Sequence, residues 1–380
     1  MVGETRILHV LPGLGAAGCE TFVRNLVLGL RDEPQLTQEI AVSTLPEQFY
    51  EPELQAAGIV IHRTDELGGV RSVFKHTRAL TRLLKEKKHA GAPFDVVHCH
   101  MDYLNAFNLF AAFRAGVPRR ICHSHIAGSQ AQNPSIITKF YRAVMRIGIR
   151  LFATDCAACS PEAAASMFWK RRAAVIPNGI DVARFAAVRG DADQRRTMRR
   201  ALGLDDIQPV ALIVAGMREQ KNPLFAVDIV AEIWKRLPRF VLIWCGGGSE
   251  LPQIKARIAQ YGIEEHVLLL GSRRDIPAIM CAADCLILPS KWEGFGIVLV
   301  EAQSAGLPCF ASEHTPRSAN MGACVYLPID SVDCWANAVT DGFLHGFNAR
   351  VDDKILRNYD IKTMCDCYKT LLETRKGDIA

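Results

Sequence analysis

The stretch KWEGFGIVLVEA, residues 291 to 302, sets two carboxylates, Glu293 and Glu301, eight positions apart, with Gly294 and Gly296 beside the first. It follows CLILPS (285–290), which reads as a buried strand, so it starts as a loop and runs on into a helix. Glycine lets backbone approach a ligand closely, and a helix N-terminus offers unpaired N–H groups at the positive end of its dipole, a seat for a diphosphate. Glu293 in the loop can then reach sugar hydroxyls, while Glu301, about two turns into the helix, can hold ribose hydroxyls. MREQKN (217–222) follows the predicted strand ALIVAG and offers Arg218 and Lys221 to an anion above a sheet. Taken alone, two glutamates near a helix start often cap it or form a salt bridge, and a loop lysine is an ordinary surface charge.

A second group is histidine. His98 and His100 end FDVVHCH (94–100), and His123 and His125 end RRICHSH (119–125). Both read as strands, and the i, i+2 spacing puts the members of each pair on one sheet face. There they could satisfy carbonyls, take part in chemistry or hold a metal. Gly13, Gly15 and Gly18 in LPGLGAAGCE (11–20) have G-x-G-x-x-G spacing between the first strand and the first helix. The acid that a dinucleotide site wants after the second strand is missing, since that strand ends in Ser43-Thr44-Leu45. The CxxC from Cys156 to Cys159 lacks a second ligand pair, and Asp191-Ala192-Asp193 lies in a polar connector rather than after a strand. Neither marks a metal site.

The elements that must carry these residues alternate. Predicted strands at 5–12, 39–45, 94–100 and 119–125 are interleaved with helical patterns such as 19–32, and the rhythm restarts at 209–216, 240–247, 266–271, 285–290 and 307–312. Alternating strands and helices imply parallel βαβ sheets, here two of them. The expected domains are residues 1–188, a polar connector 189–206, residues 207–358, and a C-terminal helix 359–380 that packs back on the first. With 380 residues and 49% hydrophobic content, two ordinary cores are affordable. A net charge of +5 is too mild for a nucleic-acid coat. Thirteen scattered cysteines without a leader pattern read as reduced thiols in the cytoplasm. No apolar run reaches the ~20 residues that span a bilayer. Residues 71–88 put Val73, His76, Leu80, Leu83 and Leu84 on one helical face and Lys75, Arg78, Arg82 and Lys85 on another. That pattern fits either a packed helix with a wet basic face or a helix lying on an anionic membrane.

With ADCLILPSKWEGFGIVLVEAQSAGLPCFAS (283–312), VIPNGIDVARF (175–185), EQKN, LLGSRRDIPAIMCAADCLILPS (269–290), GAAGCE and ICHSHIAG in order along the chain, the sequence resembles the retaining glycosyltransferases of family 4, of the GT-B fold type. Capsular and exopolysaccharide glycosyltransferases share the pattern, which spans nearly the whole chain. The resemblance implies two Rossmann-like doubly wound parallel-sheet domains facing each other across a cleft. It implies that Glu293 contacts the donor sugar, Glu301 the ribose and Lys221 the diphosphate. Gly294, Phe295 and Gly296 would give backbone amides, Gly18 would complete the phosphate pocket, His125 would lie near the anomeric centre, and Arg273 and Arg274 would flank the base-reading stretch. Two departures stand out. Gly216 occupies the place of an expected phosphate-binding arginine, with Arg218 two positions late, and Gly247 stands where an acid often follows the first glycine of CGGGSE.

The expected reaction is transfer, with retention, of a hexose or N-acetylhexosamine from a nucleotide-diphosphate sugar, UDP favoured, to a hydroxyl of a glycan, lipid-linked or small-molecule acceptor. No metal or other cofactor is expected: the leaving diphosphate would take the acceptor proton while Lys221 and helix amides bear its charge. The expected location is the cytoplasm, at the inner membrane face for a lipid-linked acceptor. The alternatives are a silent nucleotide-sugar or partner-binding protein of the same fold, and a nucleotide-sugar epimerase or hydrolase.

Overall fold

The computed structural model describes residues 4–125, 135–169, 171–347 and 350–374. The chain divides into two compact units, Met1–Gly179 with Ile361–Ala380, and Ile180–Asp360.

In the first unit the strands are β1 (Thr5–Leu11), β2 (Leu36–Val42), β3 (Val60–Arg63), β4 (Val96–Cys99), β5 (Arg119–Ser124), β6 (Asp155–Ala158) and β7 (Ala174–Val175). They form one sheet in the order β3-β2-β1-β4-β5-β6-β7, every pairing parallel. The helices between them are α1 (Gly18–Gly29), α2 (Glu51–Ala56), α3 (Val70–His89), α4 (Asn105–Ala115), α5 (Ile136–Phe152) and α6 (Pro161–Phe168). Central strands covered on both faces read as near-continuous apolar runs, which is why RILHVL was legible. The second strand begins three residues earlier than expected, because Leu36 to Val42 pair in register with Thr5 to Leu11. The hydroxyls of Ser43 and Thr44 then both donate to the Pro12 carbonyl and turn the chain out of the sheet.

The second unit repeats the plan. Helices α7 (Val182–Ala186) and α8 (Ala192–Ala201) precede β8 (Val210–Val214), α9 (Pro223–Arg236), β9 (Val241–Cys245), α10 (Leu251–Tyr261), β10 (Val267–Gly271), α11 (Ile276–Ala282), β11 (Cys285–Leu288), α12 (Ile297–Ser304), β12 (Cys309–Ser312) and β13 (Cys324–Leu327). The sheet order is β10-β9-β8-β11-β12-β13, again parallel. Helices α13 (Val332–His345) and α14 (Asp353–Leu356) follow, and α15 (Ile361–Glu373) returns to the first unit.

The connector expected at 189–206 is instead part of the second unit. Asp191 caps α8 by accepting from the amides of Asp193 and Gln194, which gives the Asp-Ala-Asp triplet a helical role. Arg195 donates to the carbonyls of Cys281 and Ala283 and pairs with Asp284 at 2.5 Å. Arg199, fully buried, donates to the carbonyls of Ala282, Asp205, Asp206 and Gln208 and pairs with the same Asp284 at 3.0 Å. A segment whose charges are this thoroughly satisfied by one core cannot act as a linker. In the first unit α15 docks through buried Met364, Tyr368 and Leu371, and Arg119 ties its end by donating to the carbonyls of Leu371 and Leu372.

Helix α3 buries the apolar stripe that the sequence marked: His76, Leu80 and Leu84 are covered, while Lys75, Arg78, Arg82 and Lys85 face solvent. Its apolar side is spent on packing. Among the described residues no helix is long and apolar enough to cross a membrane.

Candidate active site

In the second unit, the loops after β8 and β11 are laced together. The Lys291 amide donates to the Gln220 carbonyl at 2.8 Å, and the Gln220 side chain donates to the Trp292 carbonyl at 3.1 Å. This brings Lys221 to Glu293, Nζ to Oε1, at 2.5 Å. Ser290 donates to the same oxygen at 2.6 Å. Glu293 is 5% exposed, so its carboxylate is held by two charge-assisted or polar partners in a largely desolvated place. Lys221 gets there because Asn222 takes a left-handed conformation (φ 54°), which asparagine tolerates, and Pro223 then starts α9.

The loop from β11 ends at Gly296, whose φ of 88° only glycine adopts easily, and α12 begins at Ile297 with no side-chain cap. Its first-turn amides are therefore not taken by a capping side chain. Phe295 is buried and stacks on Tyr359 with ring centroids 5.0 Å apart, so only its backbone is available to a ligand. Glu301 is the fifth residue of α12, little more than one turn in rather than two. Part of the residue remains exposed, but its carboxyl lies among protein atoms, and desolvation pushes it up to about 7 against the opposing pull of Arg184.

Arg184 is the residue the sequence reading passed over. It lies within VIPNGIDVARF on α7, and its guanidinium donates to the Arg274 carbonyl at 2.9 Å. The signal was available as the cation three residues after the Gly-Ile-Asp turn. Arg273 is engaged by Asp275, at 2.8 and 2.6 Å, so these two arginines are structural at their visible contacts.

The two departures have physical readings. A Cβ on Gly216 would meet Nε and Nη2 of Arg218 at 3.1 and 3.2 Å, so the guanidinium of Arg218 lies over the space that a residue 216 side chain would enter. Gly246 and Gly248 are forced, since a Cβ on Gly246 would lie 2.0 Å from the Ala215 carbonyl oxygen and one on Gly248 would lie 2.2 Å from the Met217 carbonyl oxygen. Gly247 has open space and is not.

In the first unit, β4 and β5 bring their histidines together, and β1 adds one that the sequence reading did not single out. His98 Nε2 lies 3.1 Å from His123 Nδ1, and His100 Nδ1 lies 2.9 Å from His125 Nε2. His9 Nδ1 is 3.4 Å from His100 Nε2, and His9 Nε2 is 3.3 Å from Oε1 of Gln38. The Gln38 amide nitrogen donates to the Val27 carbonyl at 3.2 Å, which fixes its oxygen toward His9. The protons then follow in sequence: His9 must donate from Nε2, His100 from Nε2 to His9, and His125 from Nε2 to His100. Burial lowers His9 to about 4 and His125 to about 3, and holds His98, His100 and His123 well below the usual imidazole range, so all five rings are neutral near pH 7. The donors for a metal ion are also present. His9, His98 and His100 bring one ligand atom each within 4.8 Å of one another, as do Cys19, His100 and His125. In both triads His100 is bonded through both ring nitrogens to other histidines. Cys156 lies on β6 and Cys159 just beyond it; both are buried, and burial raises their thiols to about 11 and about 12. Gly18 opens α1, where a Cβ would meet nothing within 4 Å, and Glu20 occupies the first turn.

The two parallel-sheet units are shared with known proteins. Residues 4–179 match the family described as glycosyl transferase 4-like domain, and residues 194–319 match glycosyl transferases group 1. The chain belongs to this group 1, family 4 glycosyltransferase family, and its fold is GT-B. Among its relatives is EpsF of Bacillus subtilis (strain 168), named a glycosyltransferase provisionally. It is 31% identical over 362 residues, covering 88% of this chain and 87% of that one. An Escherichia coli UDP-Gal:alpha-D-GlcNAc-diphosphoundecaprenol alpha-1,3-galactosyltransferase is 27% identical, over 77% of each chain. Anabaena Alr3699/HepE, crystallised with UDP-glucose, superposes with a TM-score of 0.81 at 17% identity, over 98% of this chain and all of that one.

Proposed function

We propose that the chain is a retaining hexosyl- or N-acetylhexosaminyltransferase using a UDP-sugar and no metal, with a hydroxyl of a glycan or lipid-linked glycan as acceptor in polysaccharide biosynthesis. The carrying observation is the Lys221–Glu293 pair beside the uncapped start of α12. A diphosphate at that helix start would meet backbone amides and the positive end of the dipole. Lys221 would move its charge to the diphosphate and free Glu293 for sugar hydroxyls. Arg218, lying over Gly216, supports a second cation at the phosphates, and Glu301 takes the ribose hydroxyls. Gly18 and His125 belong to this reading as first-unit contributors, while Arg273 and Arg274 act through loop shape and backbone near the base.

Retention is what the family resemblance implies, and with Glu293 and Glu301 both used in binding, no assigned carboxylate is left over as the nucleophile of a double displacement. The departing diphosphate oxygen accepts the acceptor proton on the face it leaves, with cations and amides stabilising its charge. The relatives named for UDP and for a diphosphoundecaprenol acceptor support the donor and the lipid-linked acceptor class. Cytoplasmic location and contact with the inner membrane face go with that acceptor.

The test is calorimetric titration with UDP, GDP and ADP in the presence of a chelator, on the native chain and on Lys221→Ala and Glu301→Ala. Binding of UDP alone, weakened by both substitutions, supports the reading. Binding that needs a divalent ion, or that ignores both substitutions, refutes it. Binding without turnover on any lipid-diphosphate glycan would favour the silent alternative.

A further inference from the structure

Helix α5 carries its large apolar side chains on the outside. Ile136, Ile137, Phe140 and Leu151 are 85%, 80%, 71% and 68% exposed, and Tyr141, Val144 and Ile147 are exposed with them. At ~100° per residue these positions fill one arc of about 140°. The helix is secured on the side beyond Tyr141, where Met145 and Ile149 are buried, and at that rim of the arc Gly148 comes so near Ala106 of α4 that an added Cβ would lie 3.0 Å from the alanine methyl. Ser135 caps its N-terminus by accepting from the Thr138 amide, so the exposed face belongs to a formed helix.

The charge is one-sided. Lys139 and Arg150 lie beyond one border of the apolar arc, Arg142 and Arg146 lie farther round on the side behind it, and the 17 residues contain no acid. Arg146 is held in place by the Ser166 carbonyl at 2.6 Å and by the rings of Tyr103 and Trp169, and Trp169 is itself 55% exposed. The apolar ground extends onto α4, where exposed Phe113 and Phe110 meet Phe152 at ring distances of 5.4 and 5.2 Å. Helix α3, which also packs on α4, adds the exposed cations described above.

We propose that this face docks on an anionic bilayer, with α5 lying in the interface plane, its apolar arc among the upper acyl chains and the flanking Lys139 and Arg150 at the lipid phosphates. A broad apolar arc, aromatic residues at its edge and a cationic flank without acids are what such a surface requires. The charge selects the occupant. A second copy across a two-fold axis would set the cations of one helix near those of the other, with no acid on either helix to meet them. The proposal deepens the reading of a lipid-linked acceptor, but its test does not depend on turnover.

The full chain is sedimented with phosphatidylglycerol vesicles and with phosphatidylcholine vesicles, at low and high salt, alongside Phe140→Ser/Leu151→Ser and Lys139→Glu/Arg150→Glu. UDP binding is measured on each. The native chain should bind the anionic vesicles and not the neutral ones, and release with salt. The apolar pair and the charge reversal should each lower partitioning on the order of tenfold or more, with UDP affinity unchanged. Failure to bind anionic vesicles, equal binding to both lipids, or variants that bind like the native chain would overturn the proposal. So would a dimer that Phe140→Ser dissociates in ultracentrifugation without any vesicle binding. Vesicle binding with no UDP binding would sink the donor-site reading and sustain this one.

Discussion

Lys221 Nζ and Glu293 Oε1 lie 2.5 Å apart, although 72 residues separate them in sequence, and Ser290 completes the contact. Removing the lysine leaves a largely buried carboxylate with one neutral partner and removes a cation from the proposed leaving group. Lys221→Ala is expected to lower kcat/KM by about 10²–10³, measured as nucleotide release from the donor sugar in the presence of acceptor. Ser290→Ala, which keeps the cation, should cost less than tenfold, a hydrogen bond's worth. Equal losses in the two variants would mean that the pair serves only the fold.

Glu301 titrates near 7 because protein surrounds its carboxyl. A carboxylate accepts hydrogen bonds from a ribose diol, so the competent form is the ionised one, present above about 7 and lost below it. Affinity for a nucleotide-diphosphate sugar should be flat above pH 8 and fall by up to tenfold per unit at acid pH. In Glu301→Gln the profile should be flat throughout. A native profile without this acid limb would refute the assignment.

Gln38 lies at the far end of the chain of rings that reaches His125. In the native protein, long-range proton–nitrogen spectra of labelled histidine should show His9, His100 and His125 all protonated at Nε2. Gln38→Leu removes the acceptor that sets this order and leaves a buried N–H unpaired, at ~1–3 kcal/mol. It should give His125 a mixture of tautomers and reduce turnover without altering UDP affinity. Unchanged spectra would show that the ring order is set elsewhere.

Arg199 has no solvent to fall back on. Arg199→Ala would leave four carbonyls without their donor while Asp284 keeps Arg195, and should destabilise the second unit by several kcal/mol at ~1–3 kcal/mol per buried group left unsatisfied, read as an earlier midpoint in denaturant. Arg199→Lys should recover only a minor part, since one ammonium cannot follow a guanidinium fork.

Much of this was legible from residue types. The eight-residue spacing of Glu293 and Glu301 and the order of motifs led to the family, and central strands such as Ile7–Leu11 showed themselves by composition. The short strands did not. Asp155–Ala158 is built of small residues and Ala174–Val175 is two residues long, so neither carries a period to read. The connector was misread because Arg195 and Arg199 look solvated in a sequence, while their partners lie more than eighty residues away at Ala282 and Asp284. Glu301 was placed a turn too deep because the left-handed turn at Gly296 delays the helix start. The ring chain required β1 between β2 and β4, and strand neighbours are set by topology. Residues 136–152 have apolar side chains around most of the helix, a pattern that cannot say which arc the core will take. Their lack of any acid was the available clue.

Helix α15 gives the chain an order of completion. The second unit is one continuous stretch, Ile180–Asp360, whereas the first lacks part of its core until Met364, Tyr368 and Leu371 exist. On the ribosome, the half that begins first is therefore the half that finishes last, and until then its sheet must wait with one helix site unfilled. A protein cut short after Asp360 would keep its second unit intact and expose an apolar scar on its first.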